Sequence, residues 1–255
     1  MDIFHSIIFG VVEGITEFLP ISSTGHLILV SNLLGISQDS FTKSFEIIIQ
    51  LGAITSVVFL YWRSFFDVAL LKKLLVAFIP TGIIGLALYK VAKTYLLGNE
   101  GVVLSALLLG GVALILFELW HKESDSAIGE VKGITYKQAV SIGVFQALAI
   151  VPGVSRSAAT IVGGLLLGLK RSVIVEFSFL LAVPTMLAAS GLDIYKNYTS
   201  FSSSDVLTLS VGFIVSFLVA LASITFLLRF IKGHTFISFG VYRIAIALLF
   251  WVVFF

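Results

Sequence analysis

The chain of 255 residues is 58% hydrophobic and only 12% charged, with a mean hydropathy of +1.11. A soluble globular chain carries roughly 25% charged residues, so this composition excludes an ordinary soluble protein and predicts an all-α integral membrane protein. The net charge of +2 is too small to indicate a nucleic-acid partner, and the absence of cysteine excludes disulfides, thiolate catalysis and cysteine-ligated metals. We expect no cleavable signal peptide, because the first ten residues lack a basic n-region.

The first half of the chain begins with two short apolar stretches. Residues 2–17 predict a helix too short to cross a bilayer, and Pro20 ends it because proline disfavours helix at the preceding residue. A polar turn at 21–24 separates this helix from a second short one at 25–34. Two half-length helices around a polar break predict a re-entrant hairpin, which survives at membrane depth only where protein or water covers its backbone.

Longer apolar runs predict about six spanning helices, three in each half. They cover residues 45–62, 74–90 (bent at Pro80), 102–120, 173–192, 206–231 and 236–254. Between the third and fourth runs lie a hydrophilic loop at 121–137 and two more short apolar stretches at 138–151 and 158–169. These two stretches predict a second re-entrant hairpin.

The order of hairpin, three spans, loop, hairpin and three spans is an internal repeat. We expect a single membrane domain, 1–255, with halves at 1–120 and 134–255 joined by a cytoplasmic loop at 121–133. Because each half has an odd number of spans, the second half enters the membrane from the opposite face, which predicts an inverted-topology repeat. The halves also match locally, Glu13 with Gln146 and Ser23 with Ser155, in a register that slips by one residue.

Basic residues are divided unequally between the two faces of this arrangement. Ten lysines and arginines fall in the loops at 63–73, 121–137, 170–172 and 229–235. The other face holds four: Lys43, Lys90, Lys93 and Lys196. The positive-inside rule therefore predicts that the first face is cytoplasmic, and that both termini and the opening of the first hairpin lie outside.

Residues 12–26, here called the first polar segment, carry two acids on one helix face, Glu13 and Glu17. Two carboxylates at bilayer depth are costly unless they are paired, protonated or bound to a cation. They indicate a divalent-cation site, or a base with its orienting partner. The alternative is a helix at the water boundary with solvated acids.

The turn of this segment adds three hydroxyl groups, on Ser22, Ser23 and Thr24, followed by the imidazole of His26. Capping of the next helix accounts for one hydroxyl, but not for three beside a histidine. These residues indicate a nucleophile and a group for proton transfer.

Residues 152–160, the second polar segment, place Arg156 between Ser155 and Ser157 at the start of a helix that follows Gly153. A helix N-terminus and a guanidinium group together form a cradle for an anion, and Thr160 adds a hydroxyl one turn later. The alternative is an arginine that extends to the membrane interface.

Three residues on the spans are harder to interpret. Glu46 and Gln50 repeat the four-residue spacing of the acids and are candidates for supporting contacts or for an inter-helix hydrogen bond. For Arg243, extension to the interface or a structural ion pair is as well supported as a functional role.

Acids, hydroxyls, an imidazole and an arginine cradle together indicate phosphate-ester chemistry, and the membrane setting indicates a lipid-borne phosphate. A transporter or flippase of an anionic lipid or small anion is the main alternative, because inverted repeats with broken helices are also a transporter architecture. A structural scaffold is the third.

The two polar segments closely resemble the signature motifs of the bacterial undecaprenyl-diphosphatase family, also called bacitracin-resistance proteins. Residues 13–26 and 152–160 carry the resemblance, supported by residues 45–52 and 242–243. It implies hydrolysis of undecaprenyl diphosphate to undecaprenyl phosphate and inorganic phosphate, which recycles the lipid carrier for peptidoglycan and other envelope polymers. It also implies a divalent cation, Mg²⁺ or Ca²⁺, a site on the outer face of the bacterial cell membrane, and bacitracin as a competitor for the substrate.

The resemblance also implies roles for the site residues. Glu13 and Glu17 would hold the cation or activate the nucleophile, with Glu17 the stronger catalytic candidate. Ser23 is the candidate nucleophile, His26 the general base or acid, and Arg156 the clamp on the diphosphate. Further contacts to the substrate are expected from Ser22, Thr24, Gly153, Ser155, Ser157 and Thr160. Water or His26 as nucleophile, a secondary role in flipping the carrier, and a homo-oligomer all stay open.

Overall fold

A computed structural model describes residues 1–37, 39–96, 99–197 and 205–254. Within these ranges the chain is helical and forms no β-strand, apart from an isolated bridge between Ile128 and Leu169. The predicted all-α class is therefore confirmed. The α-helices are α1 (Ile3–Thr16), α2 (Ser23–Leu33), α3 (Ser40–Leu60), α4 (Val68–Val91), α5 (Glu100–Trp120), α6 (Tyr136–Gln146), α7 (Arg156–Leu166), α8 (Arg171–Asn197), α9 (Val206–Phe230) and α10 (Ile237–Phe254).

Five helices of the described ranges are long and apolar enough to cross a membrane: α3, α4, α5, α8 and α9. They correspond to five of the six predicted spans. The sixth, α10, contains a shorter apolar stretch, Ile237–Val253. The chain is thus a multi-pass helical membrane protein by the length and composition of its helices.

Two spans begin earlier than the apolar runs suggested. Helix α4 begins at Val68, where the carboxylate of Asp67 accepts hydrogen bonds from the N–H groups of Ala69 (3.0 Å) and Leu70 (3.2 Å). Helix α3 begins at Ser40 behind a similar cap on Asp39. Because an acidic N-cap satisfies the free N–H groups of the first turn, these helices extend into polar sequence that hydropathy alone treats as loop.

The first helix of each predicted half packs against a helix of the other predicted half: α1 lies against α9, and α6 lies against α4. Glycines permit the close approach. A Cβ atom on Gly14 would lie 2.8 Å from the carbonyl oxygen of Ser216, and one on Gly143 would overlap the backbone of Ala77. Small residues at such contacts let helix backbones approach closely inside a membrane. The short helices are therefore held by the spans, since neither is long enough to cross the bilayer.

Candidate active site

Two turns with the same backbone geometry form the centre of the candidate site. The turn between α1 and α2 ends at Ser22, with φ 75°, and the turn before α7 ends at Ser155, with φ 74°. Each serine caps the following helix, since its Oγ accepts a hydrogen bond from the N–H of Gly25 (3.4 Å) or Ala158 (3.2 Å). A positive φ outside glycine costs about 1–3 kcal/mol, so the surrounding contacts must hold both turns in place.

This geometry pairs the two polar segments differently from the predicted repeat. The structural counterpart of Ser155 is Ser22 and not Ser23, because only Ser22 shares its positive φ and capping role. With that pairing, Glu13 and Gln146 each lie nine residues before the matched serine, and the one-residue slip disappears. Ser23 then matches Arg156, so equivalent positions of the two turns carry a hydroxyl and a guanidinium group.

The side chains of Ser23, Glu17 and Arg156 meet between the turns. The Oγ of Ser23 donates to Glu17 Oε2 at 2.5 Å, and Arg156 Nη2 donates to Glu17 Oε1 at 3.1 Å. The Glu17 and Arg156 side chains are only 4% and 11% exposed, although 139 residues separate them in the chain. Arg156 Nη1 also donates to the carbonyl of Ser178 on α8 at 2.9 Å, which fixes the plane of the guanidinium group.

A small pocket of about 90 Å³ lies beside these three side chains. Its polar lining is Glu17, Ser22, Ser23, Thr24, Gln50, Gly153, Ser155 and Arg156. The volume accommodates several water molecules or one phosphate group, but not a lipid chain. A ligand of this site would therefore place only its head group between the turns.

Two predicted contact residues face the turn interface instead of this pocket. Ser157 Oγ donates to the carbonyl of Leu19 at 2.8 Å, which joins the two turns directly. Thr160 Oγ1 donates to the carbonyl of Arg156 at 3.0 Å and lies 2.6 Å from Ser178 Oγ. Ser157 and Thr160 are both buried, so they stabilise the placement of Arg156.

Glu13 is fully buried and lies behind Glu17, outside the pocket lining. Neither of its carboxylate oxygens accepts a hydrogen bond from any side chain in the described part of the protein. The charges that act on it are those of the carboxylates of Glu17 and Glu46 and of the guanidinium group of Arg156. A buried carboxylate without donors is unfavourable unless a proton or a cation compensates it.

The donor set fits a hard divalent cation held in part by the protein. Carboxylate oxygens are the ligands that Mg²⁺ and Ca²⁺ prefer, and Glu13 offers two without another partner. Among the residues that the structure covers, no three acidic, histidine or cysteine side chains converge as a complete metal cage. Mg²⁺ is commonly held by one or two carboxylates with water and substrate phosphate as its other ligands, so Glu13 and Glu17 have the ligand chemistry of such a site.

His26 contacts residues on the far side of the turn from the pocket. Its Nδ1 lies 2.7 Å from the carbonyl oxygen of Ser22, and its Nε2 lies 2.9 Å from the hydroxyl of Tyr242. The two rings are stacked, with centroids 5.6 Å apart and planes inclined by 4°. No hydrogen bond between His26 and Ser23 occurs in the described structure, so the predicted proton transfer has no direct path between them.

Arg243 differs from both structural interpretations that the sequence offered. It is fully buried, so it does not extend to the interface. Within the described part of the chain its hydrogen-bond partners are carbonyl groups, with no carboxylate among them. The guanidinium group donates to the carbonyls of Pro20 (3.3 Å), Ala106 (3.0 Å), Leu107 (3.4 Å), Gly153 (2.9 Å) and Val154 (3.0 Å). Arg243 thus joins both turns to α5.

Sequence reasoning missed Ser178 and gave Tyr242 no role in the site. Ser178 contacts Arg156 through its backbone carbonyl, which any residue could supply, so this contact left no trace in the sequence. Tyr242 lies 216 residues from His26 in the chain, and only the packing of α10 against α5 brings it close.

Fold and site together define a multi-pass helical membrane protein with an acid, a hydroxyl and a guanidinium group around a pocket for a phosphate-sized anion. A family model described as bacitracin resistance protein BacA matches residues 6–249, and the chain belongs to this family.

Curated relatives match the chain over almost its whole length. The undecaprenyl-diphosphatase of Sulfurihydrogenibium sp. (strain YO3AOP1) is 55% identical over 252 residues, covering 99% of both chains. That of Wolinella succinogenes is 53% identical, covering 98% of this chain and 97% of the relative. That of Aquifex aeolicus is 49% identical, covering 98% of each. All three carry the name of an enzyme, which does not favour the transporter alternative.

Proposed function

We propose that this protein hydrolyses undecaprenyl diphosphate to undecaprenyl phosphate and inorganic phosphate, and so recycles the lipid carrier of cell-envelope synthesis. The observation that carries the proposal is the contact of Ser23 and Arg156 with the two oxygens of one carboxylate, Glu17, beside a phosphate-sized pocket. The names of the curated relatives supply the substrate.

In the first step, Glu17 takes the proton of Ser23, and Ser23 Oγ attacks the terminal phosphorus of the substrate. The new Oγ–P bond forms while the anhydride P–O bond breaks, and its electron pair leaves with undecaprenyl phosphate. Arg156 binds the phosphate oxygens with its fork of N–H groups and balances their charge. Ser22, Thr24, Gly153 and Ser155 line the same pocket and supply further polar contacts.

In the second step, water attacks the phosphorus of the phosphoserine and the Oγ–P bond breaks. Glu17 returns its proton to Ser23 Oγ, and the water oxygen leaves as part of hydrogen phosphate, which keeps a proton of the water. Direct attack by water on the substrate is the alternative. Glu17 is the base in both schemes, because its Oε2 accepts a hydrogen bond from Ser23 Oγ and its side chain lines the pocket. Trapping a phosphorylated Ser23 distinguishes the two schemes.

Glu13 and Glu17 would hold a divalent cation, Mg²⁺ or Ca²⁺, which would supply charge stabilisation for the phosphate oxygens. The unpartnered oxygens of Glu13 support this assignment.

We further propose that the protein lies in the bacterial cell membrane as an inverted repeat of six spans and two re-entrant hairpins. The matched turns at Ser22 and Ser155 support the repeat, as does the packing of α1 on α9 and of α6 on α4. In this topology α10 is the sixth span, the site opens outward, and both termini lie outside. The side chains of Lys93 and Lys196, used in the charge argument, lie outside the described residues.

The deciding experiment measures phosphate release from undecaprenyl or farnesyl diphosphate by the purified protein in detergent, in a series with Mg²⁺, Ca²⁺ and chelator. We expect cation-dependent release, and bacitracin should reduce it by competing for the substrate. No release with either cation would contradict the proposal and favour the flippase alternative. If phosphate is released, lipid flipping stays a secondary role.

A further inference from the structure

The ring of His26 is held at both nitrogens by groups that are not part of the pocket. The acceptor at Nδ1 is the carbonyl oxygen of Ser22, which has no hydrogen to donate, so Nδ1 must carry the proton. In the neutral ring, Nε2 is then an acceptor, and the hydroxyl of Tyr242 donates to it at 2.9 Å. The contacts therefore fix one tautomer of His26.

His26 forms its hydrogen bonds to Ser22, the residue of the turn that has a positive φ. The carbonyl of Ser22 accepts from the side chain of His26 at 2.7 Å and from its backbone N–H at 3.2 Å. Ser22 has φ 75° and immediately precedes Ser23, whose hydroxyl contacts Glu17. Holding this carbonyl fixes the direction in which the turn presents Ser23 Oγ.

The second turn provides an internal comparison. Ser155 has a similar positive φ, but alanine occupies the position equivalent to His26. Among the described residues, the carbonyl of Ser155 accepts the backbone N–H of Ala159 at 3.1 Å and no side chain. The additional side-chain contact thus occurs on the turn that carries the nucleophile. A requirement of the backbone geometry alone would apply to both turns.

We propose that His26 is a positioning residue, which orients Ser23 by holding the carbonyl of Ser22, and that Tyr242 keeps its imidazole in the required tautomer. This inference rests on the proposed function. It replaces proton transfer by His26 with transfer to Glu17, which already lies against Ser23.

Two substitutions of His26 separate the roles. Asparagine places its side-chain amide nitrogen near the position of Nδ1, so it can still donate a hydrogen bond to the carbonyl of Ser22. Glutamine places its amide nitrogen near the position of Nε2, so it cannot donate to that carbonyl. For the positioning role we expect His26→Asn to retain kcat within about tenfold, and His26→Gln to lose about a hundredfold, with KM little changed in both. The pH profile of kcat in His26→Asn should keep the limbs of the wild type.

Proton transfer by His26 predicts a different result. Both variants would lose about 10²–10⁴-fold equally, and the limb near pH 6–7 where an ordinary histidine titrates would disappear. Either observation would overturn the proposal.

Tyr242→Phe removes the donor to Nε2 without changing the ring stack, and we expect kcat to fall about threefold to tenfold. Tyr136→Phe is the matched control, because Tyr136 is exposed at the start of α6. This variant should have the kcat of the wild type. Wild-type kcat in Tyr242→Phe would remove the tyrosine from the proposal.

A measurement on the wild type keeps the test independent of variant folding. Histidine labelled with ¹⁵N should show His26, identified by the resonance lost in a His26 variant or by its coupling to Tyr242, as the neutral Nδ1–H tautomer. An Nε2–H tautomer overturns the proposal. Absence of phosphate release by the wild type would contradict the proposed function while leaving this tautomer test intact.

Discussion

Glu17 contacts two different groups of the site, one with each of its carboxylate oxygens. One oxygen accepts from Ser23 and the other from Arg156. In the proposed mechanism the same carboxylate would therefore activate the hydroxyl and orient the guanidinium group that binds phosphate. Breaking the pair would leave the other charge buried and uncompensated, which is unfavourable at an exposure of 4–11%.

At this scale we predict that Glu17→Gln still folds but has a lower Tm, because Arg156 loses its countercharge. Its kcat should fall by about 10²–10⁴-fold, because an amide can accept a hydrogen bond from Ser23 but cannot take its proton. Phosphate release and thermal unfolding in detergent are the measurements. Glu130→Gln, at an exposed acid in the loop before α6, is the matched control and should match the wild type. Wild-type turnover in Glu17→Gln would remove Glu17 from the site.

The elements position the site through close helix contacts. Helices α1 and α6 are each too short to span, and each lies against a helix of the other half. The contact of α6 with α4 is closed by Gly143, whose position leaves no room for a side chain next to Ala77, and Thr81 donates to the carbonyl of Gly143 at 2.8 Å.

We predict that Gly143→Ala destabilises the protein by about 1–3 kcal/mol, because the new Cβ forces α6 away from α4. Gly85→Ala is the matched control. Gly85 lies within α4, and a Cβ there meets no atom within 4 Å, so this variant should be neutral or up to about 1 kcal/mol more stable. Thermal unfolding in detergent measures both. Equal stability of the two variants would show that the close contact of α6 with α4 does not contribute to the stability of the protein.

Across the whole molecule, Arg243 unites three parts that are distant in sequence: the first turn, the second turn and α5. Its guanidinium group is planar and presents five N–H donors in a fixed arrangement, which suits a ring of carbonyl acceptors. Its charge is balanced by peptide dipoles, and the two halves of the site are kept at the distance at which Glu17 meets Arg156.

We predict that Arg243→Lys lowers both stability and kcat, even though the charge is kept. An ammonium group has three donors and no fork, so several of the buried carbonyls lose their partner, at about 1–3 kcal/mol for each unsatisfied group. Arg229→Lys, at the end of α9, is the control and should change neither quantity. Full kcat with a lower Tm would assign Arg243 to stability alone.

The topology is testable because the chain has no cysteine, so a single introduced thiol reacts without background. We predict that Lys43→Cys reacts with a membrane-impermeant maleimide in intact cells, whereas Lys122→Cys reacts only after the membrane is opened. Both lysines are exposed, so the contrast reports the side of the membrane and not burial. Reversed labelling would contradict the outward orientation of the site.

Local features of the sequence were enough to predict the helical class, the two broken segments and most of the residues around the pocket. Hydrophobic runs and the prolines near each break act over a few residues, so they can be recognised without knowledge of the fold. The polarity of residues 12–26 and 152–160 is a local feature as well. It indicates a functional site, because unpaired polar groups are costly in an apolar setting.

The tertiary structure decided what the residue types leave open. The positive φ of Ser22 is a property of the folded turn and not of serine, so the sequence pattern paired Ser155 with Ser23, whereas the backbone geometry pairs it with Ser22. The partners of Arg243 are backbone carbonyls, which every residue possesses, and therefore leave no trace in the sequence. The contact of His26 with Tyr242 depends on packing between segments 216 residues apart. Sequence thus determined which chemical groups are present, whereas long-range packing determined which of them touch.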